Sequence, residues 1–144
     1  TPDIYPAKRS KISGGKTVKR LVASEDKGLA LAGARVALYV GTPEIACELA
    51  RAWGRHWEND EWAANRCHSQ LRALLERHEQ GTLQNEHPDW SKQQCNSEAK
   101  SRTDFIALEL GEDPARWVTY WLGVLKGEKP RAVPDKPQSI QSKW

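Results

Sequence analysis

Four histidines (His56, His68, His78 and His87) and three cysteines (Cys47, Cys67 and Cys95) are the residues of this chain best suited to hold a metal or act as nucleophiles. A zinc site usually draws on two pairs of such ligands, each pair two to four residues apart. The chain has no two such pairs. Cys67 and His68 are adjacent, so on a helix they point about 100° apart, which also stops them from working as nucleophile and base. A metal would have to use His68, His78, His87 and Cys95, and their spacing gives no reason to expect one. Ser13-Gly14-Gly15-Lys16-Thr17 has the ending of a phosphate loop. The full pattern needs a glycine where Ser10 stands and a buried strand before it, which TPDIYPAKR is not. There is no Gly-x-Ser-x-Gly elbow. Asp60/Glu61 and Glu109/Glu112/Asp113 fall where helices should start or stop, and capping accounts for them. A non-enzymatic chain is expected, with no catalytic residue, metal or cofactor.

The elements that would position these residues read as helices. Ser24, with Glu25 and Asp26 after it, suits a helix start. The stretch 28–41 is ambiguous. Leu29, Gly33, Val36 and Val40 fit a helical stripe, Val36, Leu38 and Val40 alternate as in a strand, and the alanines favour helix. Thr42-Pro43-Glu44 opens a clearer helix, with Ile45, Leu49, Ala52, Trp53 and Trp57 on one face. Asn59 or Asp60 starts the next, with Ala63, Cys67, Leu71, Leu74 and Leu75 inward and Gly81 as its stop. Residues 82–91 read as a loop. Pro88 then opens a polar helix over 91–101, and Ser101 or Thr103 starts an apolar one (Phe105, Ile106, Leu108, Leu110) that Gly111 ends. Asp113 and Pro114 begin the last helix, with Trp117, Val118, Trp121, Leu122 and Leu125 on its apolar face and Gly127 as its stop. The sum is an all-α single domain of five or six helices.

At 144 residues the chain is one domain's worth. Its mean hydropathy of −0.75 marks it as polar. No run of about 18 uncharged apolar residues exists to span a membrane, since Arg35 breaks the longest apolar stretch. The first residues lack an apolar signal core, so secretion by that route is not expected. Three cysteines suit reduced thiols in a cytosol-like compartment, so the expected location is cytoplasmic, the host cytoplasm or a virion if the source is viral.

The net charge of +3 hides a division. Residues 1–20 hold six bases (Lys8, Arg9, Lys11, Lys16, Lys19, Arg20) and one acid, and residues 126–144 hold five bases (Lys126, Lys129, Arg131, Lys136, Lys143) and two acids. The residues between them hold eleven bases and sixteen acids. The expected organisation is a basic arm at 1–20, flexible or partner-bound, a helical domain at 21–127, and a proline- and lysine-rich tail at 128–144. Both flanks are too poor in apolar residues to offset the entropy of ordering alone.

Seven tryptophans fall into two groups. Trp53/Trp57 and Trp117/Trp121 are i,i+4 pairs, each sharing one helix face, and suit a core. Trp62, Trp90 and Trp144 stand outside such stripes or at their ends and are candidate partner contacts.

The segment TDFIALELGEDPARWVTYWLG (103–123) resembles a helix-turn-helix of the phage-repressor kind. Ala107 is the small residue between the helices, Gly111 is at the turn, and Leu110, Trp117 and Tyr120 occupy the buried positions. The resemblance implies that 114–122 enters the major groove, with Arg116 as its one cation. Glu112 stands where an apolar residue usually follows the turn glycine, and Asp113 would repel phosphate. The same residues suit a plain helical hairpin.

Two functions follow. In one, the protein is nucleic-acid-associated and neutralises phosphates non-specifically through Lys8, Arg9, Lys11, Lys16, Lys19, Arg20, Lys126, Lys129 and Arg131, with Arg116 assisting. In the other, it is an assembly or adaptor subunit of a phage- or virus-like particle, a homo-oligomer whose flanks and Trp144 lie on neighbouring subunits. A packaging particle would use both.

Overall fold

Six helices, bounded by caps the sequence supplies, make up the regular structure of residues 15–128, the part of the chain described by this computed structural model. They are α1 (15–22), α2 (Lys27–Val40), α3 (Pro43–Ala52, extended by one π turn over Trp53–Trp57), α4 (Glu61–Glu86), α5 (Lys92–Leu110) and α6 (Pro114–Leu125). Thr42, Asp60 and Asp113 cap α3, α4 and α6 as the sequence indicates, each accepting a backbone N–H of the first turn. Gly127, at φ 79°, ends α6 in a Schellman turn: Glu128 N–H donates to the Gly123 carbonyl and Gly127 N–H to that of Val124.

The structure departs from the sequence reading at several places. The ambiguous stretch 28–41 is helix, and its cap is Asp26 rather than Ser24. Its buried stripe is Ala30, Gly33, Ala34 and Ala37, while Leu29 and Val36 face outward. Small residues win the inner face because α1 approaches so closely. A Cβ on Gly33 would stand 2.8 Å from the Leu21 and Val22 side chains and from the Val22 amide nitrogen. Gly81 does not stop α4, which continues through the first half of the expected loop to Glu86. Pro88 does not open α5. Ser91 does, in a capping box with Gln94. The two helices expected over 91–110 are one, because no breaker separates them, Thr103 is buried and Arg102 pairs with Glu79 of α4. Leu108, counted with an apolar face, points to solvent.

α4 and α5 pair along their length, and α6 lies on α3. The four paired tryptophans are all in the core, together with Ile45, Leu49, Leu71, Leu75 and Ile106. A smaller cluster of Leu83, Cys95 and Ala99 under Trp90 closes the far end of the α4–α5 pair. The expected arm 1–20 meets the bundle partway along. Residues 15–20 belong to α1, whose Val18 and Val22 are buried, and residues 1–14 lie outside the described residues.

Candidate functional site

Charge and connectivity converge on one end of the bundle, the α2–α3 turn at Gly41. α1 begins beside it: a Cβ on Gly15 would sit 3.7 Å from Val40. α6 ends beside it. At its start, Pro114 faces Gly54 at the far end of the α3 extension, with a Gly54 Cβ only 3.4 Å from the proline ring. One face of Trp121, two turns later, borders Gly41, Thr42 and Pro43. The chain therefore enters and leaves the described bundle at the same end. The bundle, residues 15–128, holds fifteen bases against seventeen acids. Residues 1–14 add three bases and one acid, and residues 129–144 four bases and one acid.

The expected cationic contacts divide accordingly. Lys8, Arg9, Lys11, Lys129 and Arg131 lie outside the described residues, as does Trp144. Lys16 and Arg20 share the outward face of α1, i and i+4, and neither forms an ion pair among the described residues. Lys19 pairs with Glu44 at 3.0 Å and is committed to the bundle. Lys126 is exposed at the end of α6.

Arg116 is less available. Its Nη1 donates to the Glu109 carbonyl at 3.0 Å and its Nε lies 3.6 Å from the Asp113 carboxylate. The segment likened to a helix-turn-helix has its buried residues where that pattern has them, at Ala107, Leu110, Trp117 and Tyr120. Trp117 Nε1 donates to the Gly111 carbonyl at 2.8 Å and fixes the turn. Beyond the turn the two helices part, α5 to α4 and α6 to α3. The outward residues at the start of α6 are Ala115, Arg116 and Thr119.

Of the other candidate partner contacts, Trp62 is 57% exposed, with the Arg66 guanidinium 5.3 Å above its ring. Trp90 is occupied by its own chain, stacked on His87 at 3.9 Å and covering the small cluster.

His68, His78, His87 and Cys95 are not brought together, and the described residues contain no group of three His, Cys, Asp or Glu able to hold a metal. Each of these histidines meets tryptophan instead: His68 lies between Trp53 and Trp117, His78 against Trp121 and His87 on Trp90. Burial lowers the His68 and His78 imidazoles below their ordinary range, favouring the neutral ring. Burial pushes the Cys67 and Cys47 thiols up, away from the reactive thiolate. Cys67 donates to the Leu49 carbonyl.

Two features gave no sequence signal. One is a buried carboxylate, Glu79 of α4, which faces Arg102 of α5 and lies near Tyr120 of α6. The Glu79 carboxylate lies 3.6 Å from the Arg102 guanidinium, and burial raises it despite that partner. Tyr120 Oη and Thr103 Oγ1 have no hydrogen-bond partner among the described residues. The other is the outward face of α2, where Leu29, Ala32, Val36 and Tyr39 follow one another at three- and four-residue steps, all exposed. A charge-poor helix with apolar residues on both faces is a sign of burial on both.

No family model, curated protein or solved structure matches the chain.

Proposed function

We propose that the protein is a non-enzymatic, nucleic-acid-associated helical subunit that holds phosphate backbone through its two cationic flanks. The observation that carries this reading is that both flanks join a near-neutral bundle at one end, beside exposed Lys16 and Lys126. Two separate short basic segments bind a polyanion weakly. Tethered to the same end, they act at high mutual effective concentration. Lys8, Arg9, Lys11, Lys16, Arg20, Lys126, Lys129 and Arg131 supply the charge. Sequence-specific reading through α6 forms no part of the proposal, since Arg116 is tied to Glu109 and Asp113.

If about four of these cations each neutralise a phosphate, the logarithmic salt slope is roughly −3.6, and affinity falls on the order of 100-fold between 50 and 200 mM salt. Filter binding of the full chain to random-sequence duplex at those two concentrations tests it. No retention at the lower salt refutes it.

A second reading, self-assembly into an oligomer, is favoured by the outward face of α2, with Leu29 49% and Tyr39 85% exposed. Light scattering on the parent and on a Leu29→Lys/Val36→Lys variant tests it. An unchanged mass refutes it.

A further inference from the structure

Gly81 has no structural reason to be glycine. It lies inside α4, where glycine weakens a helix relative to alanine, and an added Cβ would meet no atom of the described residues within 4 Å. What its bareness does is leave open a cleft of about 310 Å³ between α4 and the α2–α3 turn, with Trp121 of α6 in its wall. Ligand sites begin at about this size, which suits a small molecule rather than a polymer.

The lining sets the chemistry. Among the described residues Arg77 is its one charged lining residue, and no carboxylate lines it. The Arg77 guanidinium is held in place by donating to the Leu38 carbonyl at 2.6 Å, in space that a side chain at Gly41 would fill. Its remaining N–H groups stay available, in the planar array that suits phosphate and carboxylate. Asn85, one turn beyond Gly81, contributes an amide N–H₂. His78 stands edge-on to Trp121 at 5.6 Å. Trp121 is 1% exposed, and its indole N–H has no partner among the described residues. A pinned cation, further donors and no anion make a cleft that prefers oxyanions.

We propose that this cleft is a binding site for a small ligand bearing a phosphate or carboxylate group, with Arg77 as its charge partner and Asn85 as a second donor. The cleft lies at the flank-bearing end but does not require duplex binding through the flanks, and it is tested apart from it.

The test is a nuclear magnetic resonance titration of the ¹⁵N-labelled full chain with inorganic phosphate, acetate or chloride at constant ionic strength. The Arg77 Nε–H, the Asn85 side-chain amide and the Trp121 indole N–H are the reporters. The expected result is a saturable shift with phosphate, acetate or both, and none with chloride. Comparing the two anions identifies the head group. Gly81→Leu fills the cleft and is expected to weaken the response at least tenfold, and Arg77→Met to abolish it. Each variant is read only where its backbone spectrum otherwise matches the parent's, and either one suffices for the test. No saturable shift with either oxyanion, the same shift with chloride, or undiminished binding in a folded variant overturns the proposal.

Discussion

Gly33→Ala separates two pictures of the basic N-terminal segment by the sign of a stability change. In the structure α1 is docked, and the added methyl would stand 2.8 Å from the side chains of Leu21 and Val22 and from the Val22 backbone nitrogen. Carbon atoms in ordinary contact keep about 3.5–4.0 Å apart, so α1 must retreat by roughly 1 Å. Part of the obstacle is backbone, so no rotamer change relieves it. Overpacking of this kind costs about 1–3 kcal/mol. The ceiling is complete undocking, which exposes Val18 and Val22 at about 1.5–3 kcal/mol each. Against this stands the better helix propensity of alanine, about 1 kcal/mol. The balance is a destabilisation of about 0–2 kcal/mol, up to a few degrees in Tm for a domain of this size. If residues 15–22 stood off the bundle as a free arm, nothing would oppose the methyl and the same substitution would stabilise by about 1 kcal/mol. Urea unfolding followed by circular dichroism measures the difference. A variant more stable than the parent, at unchanged m value, refutes the docking of α1.

Further outcomes follow from the buried polar groups and from Gly81. Tyr120→Phe removes a buried hydroxyl that has no hydrogen-bond partner among the described residues, so it should stabilise by about 1 kcal/mol; a loss of stability in urea would reveal a partner for that hydroxyl. Glu79→Gln should raise Tm at pH 7.5 and not at pH 4. The folded carboxyl is raised above its ordinary value of 4.5, so ionisation above the folded pKa lowers stability, and that loss is absent below 4.5; a drop in Tm at pH 7.5 would show that the Arg102 pair outweighs desolvation. His68 and His78 act in the opposite direction. Their folded pKa values lie below 6.5, so the unfolded chain binds more protons and stability falls as pH drops below 6.5; the decline from pH 7.5 to 5.5 should shrink in a His68→Gln/His78→Gln variant, and an unchanged pH profile would refute the assignment. Gly81→Ala should stabilise by about 1 kcal/mol, because nothing opposes the new methyl; destabilisation in urea would mean that the cleft is closed in solution.

The sequence made the fold legible wherever a boundary is chemical and local. Thr42-Pro43, Asp60 and Asp113-Pro114 cap as short-range patterns require, and Trp53, Trp57, Trp117 and Trp121 are buried because spacing alone puts each pair on one face. It misled where a residue's local preference is overridden by packing. Gly81 reads as a stop, yet Leu83 beyond it is fully buried against Cys95 and Ala99, and that contact carries α4 past the glycine to Glu86. Leu29 and Val36 read as core, yet the close crossing of α1 at Gly33 reserves that face for alanine and glycine. The candidate site was half legible. The cationic flanks are plain in composition. Their common point of attachment depends on α6 running back along α3, and the cleft and the Glu79–Arg102 pair depend on which faces α4 turns to its neighbours. No spacing in the sequence encodes these.

That common attachment also bears on how the two readings relate. Oligomerisation through α2 would be isologous in its simplest form, with Leu29, Ala32, Val36 and Tyr39 of one copy against the same residues of another. α2 reaches the flank-bearing end at Val40 and Gly41, so pairing α2 would bring the flanks of two subunits to a shared interface. The charge facing a polyanion would then double with each pairing, and so would the number of phosphates neutralised. The salt slope therefore becomes a readout of assembly. If both readings hold, a Leu29→Lys/Val36→Lys variant, although it gains two cations, should show a shallower slope than the parent at equal subunit concentration. A steeper slope, with the parent mass already monomeric, would leave the flanks acting alone and the face of α2 without a role in binding.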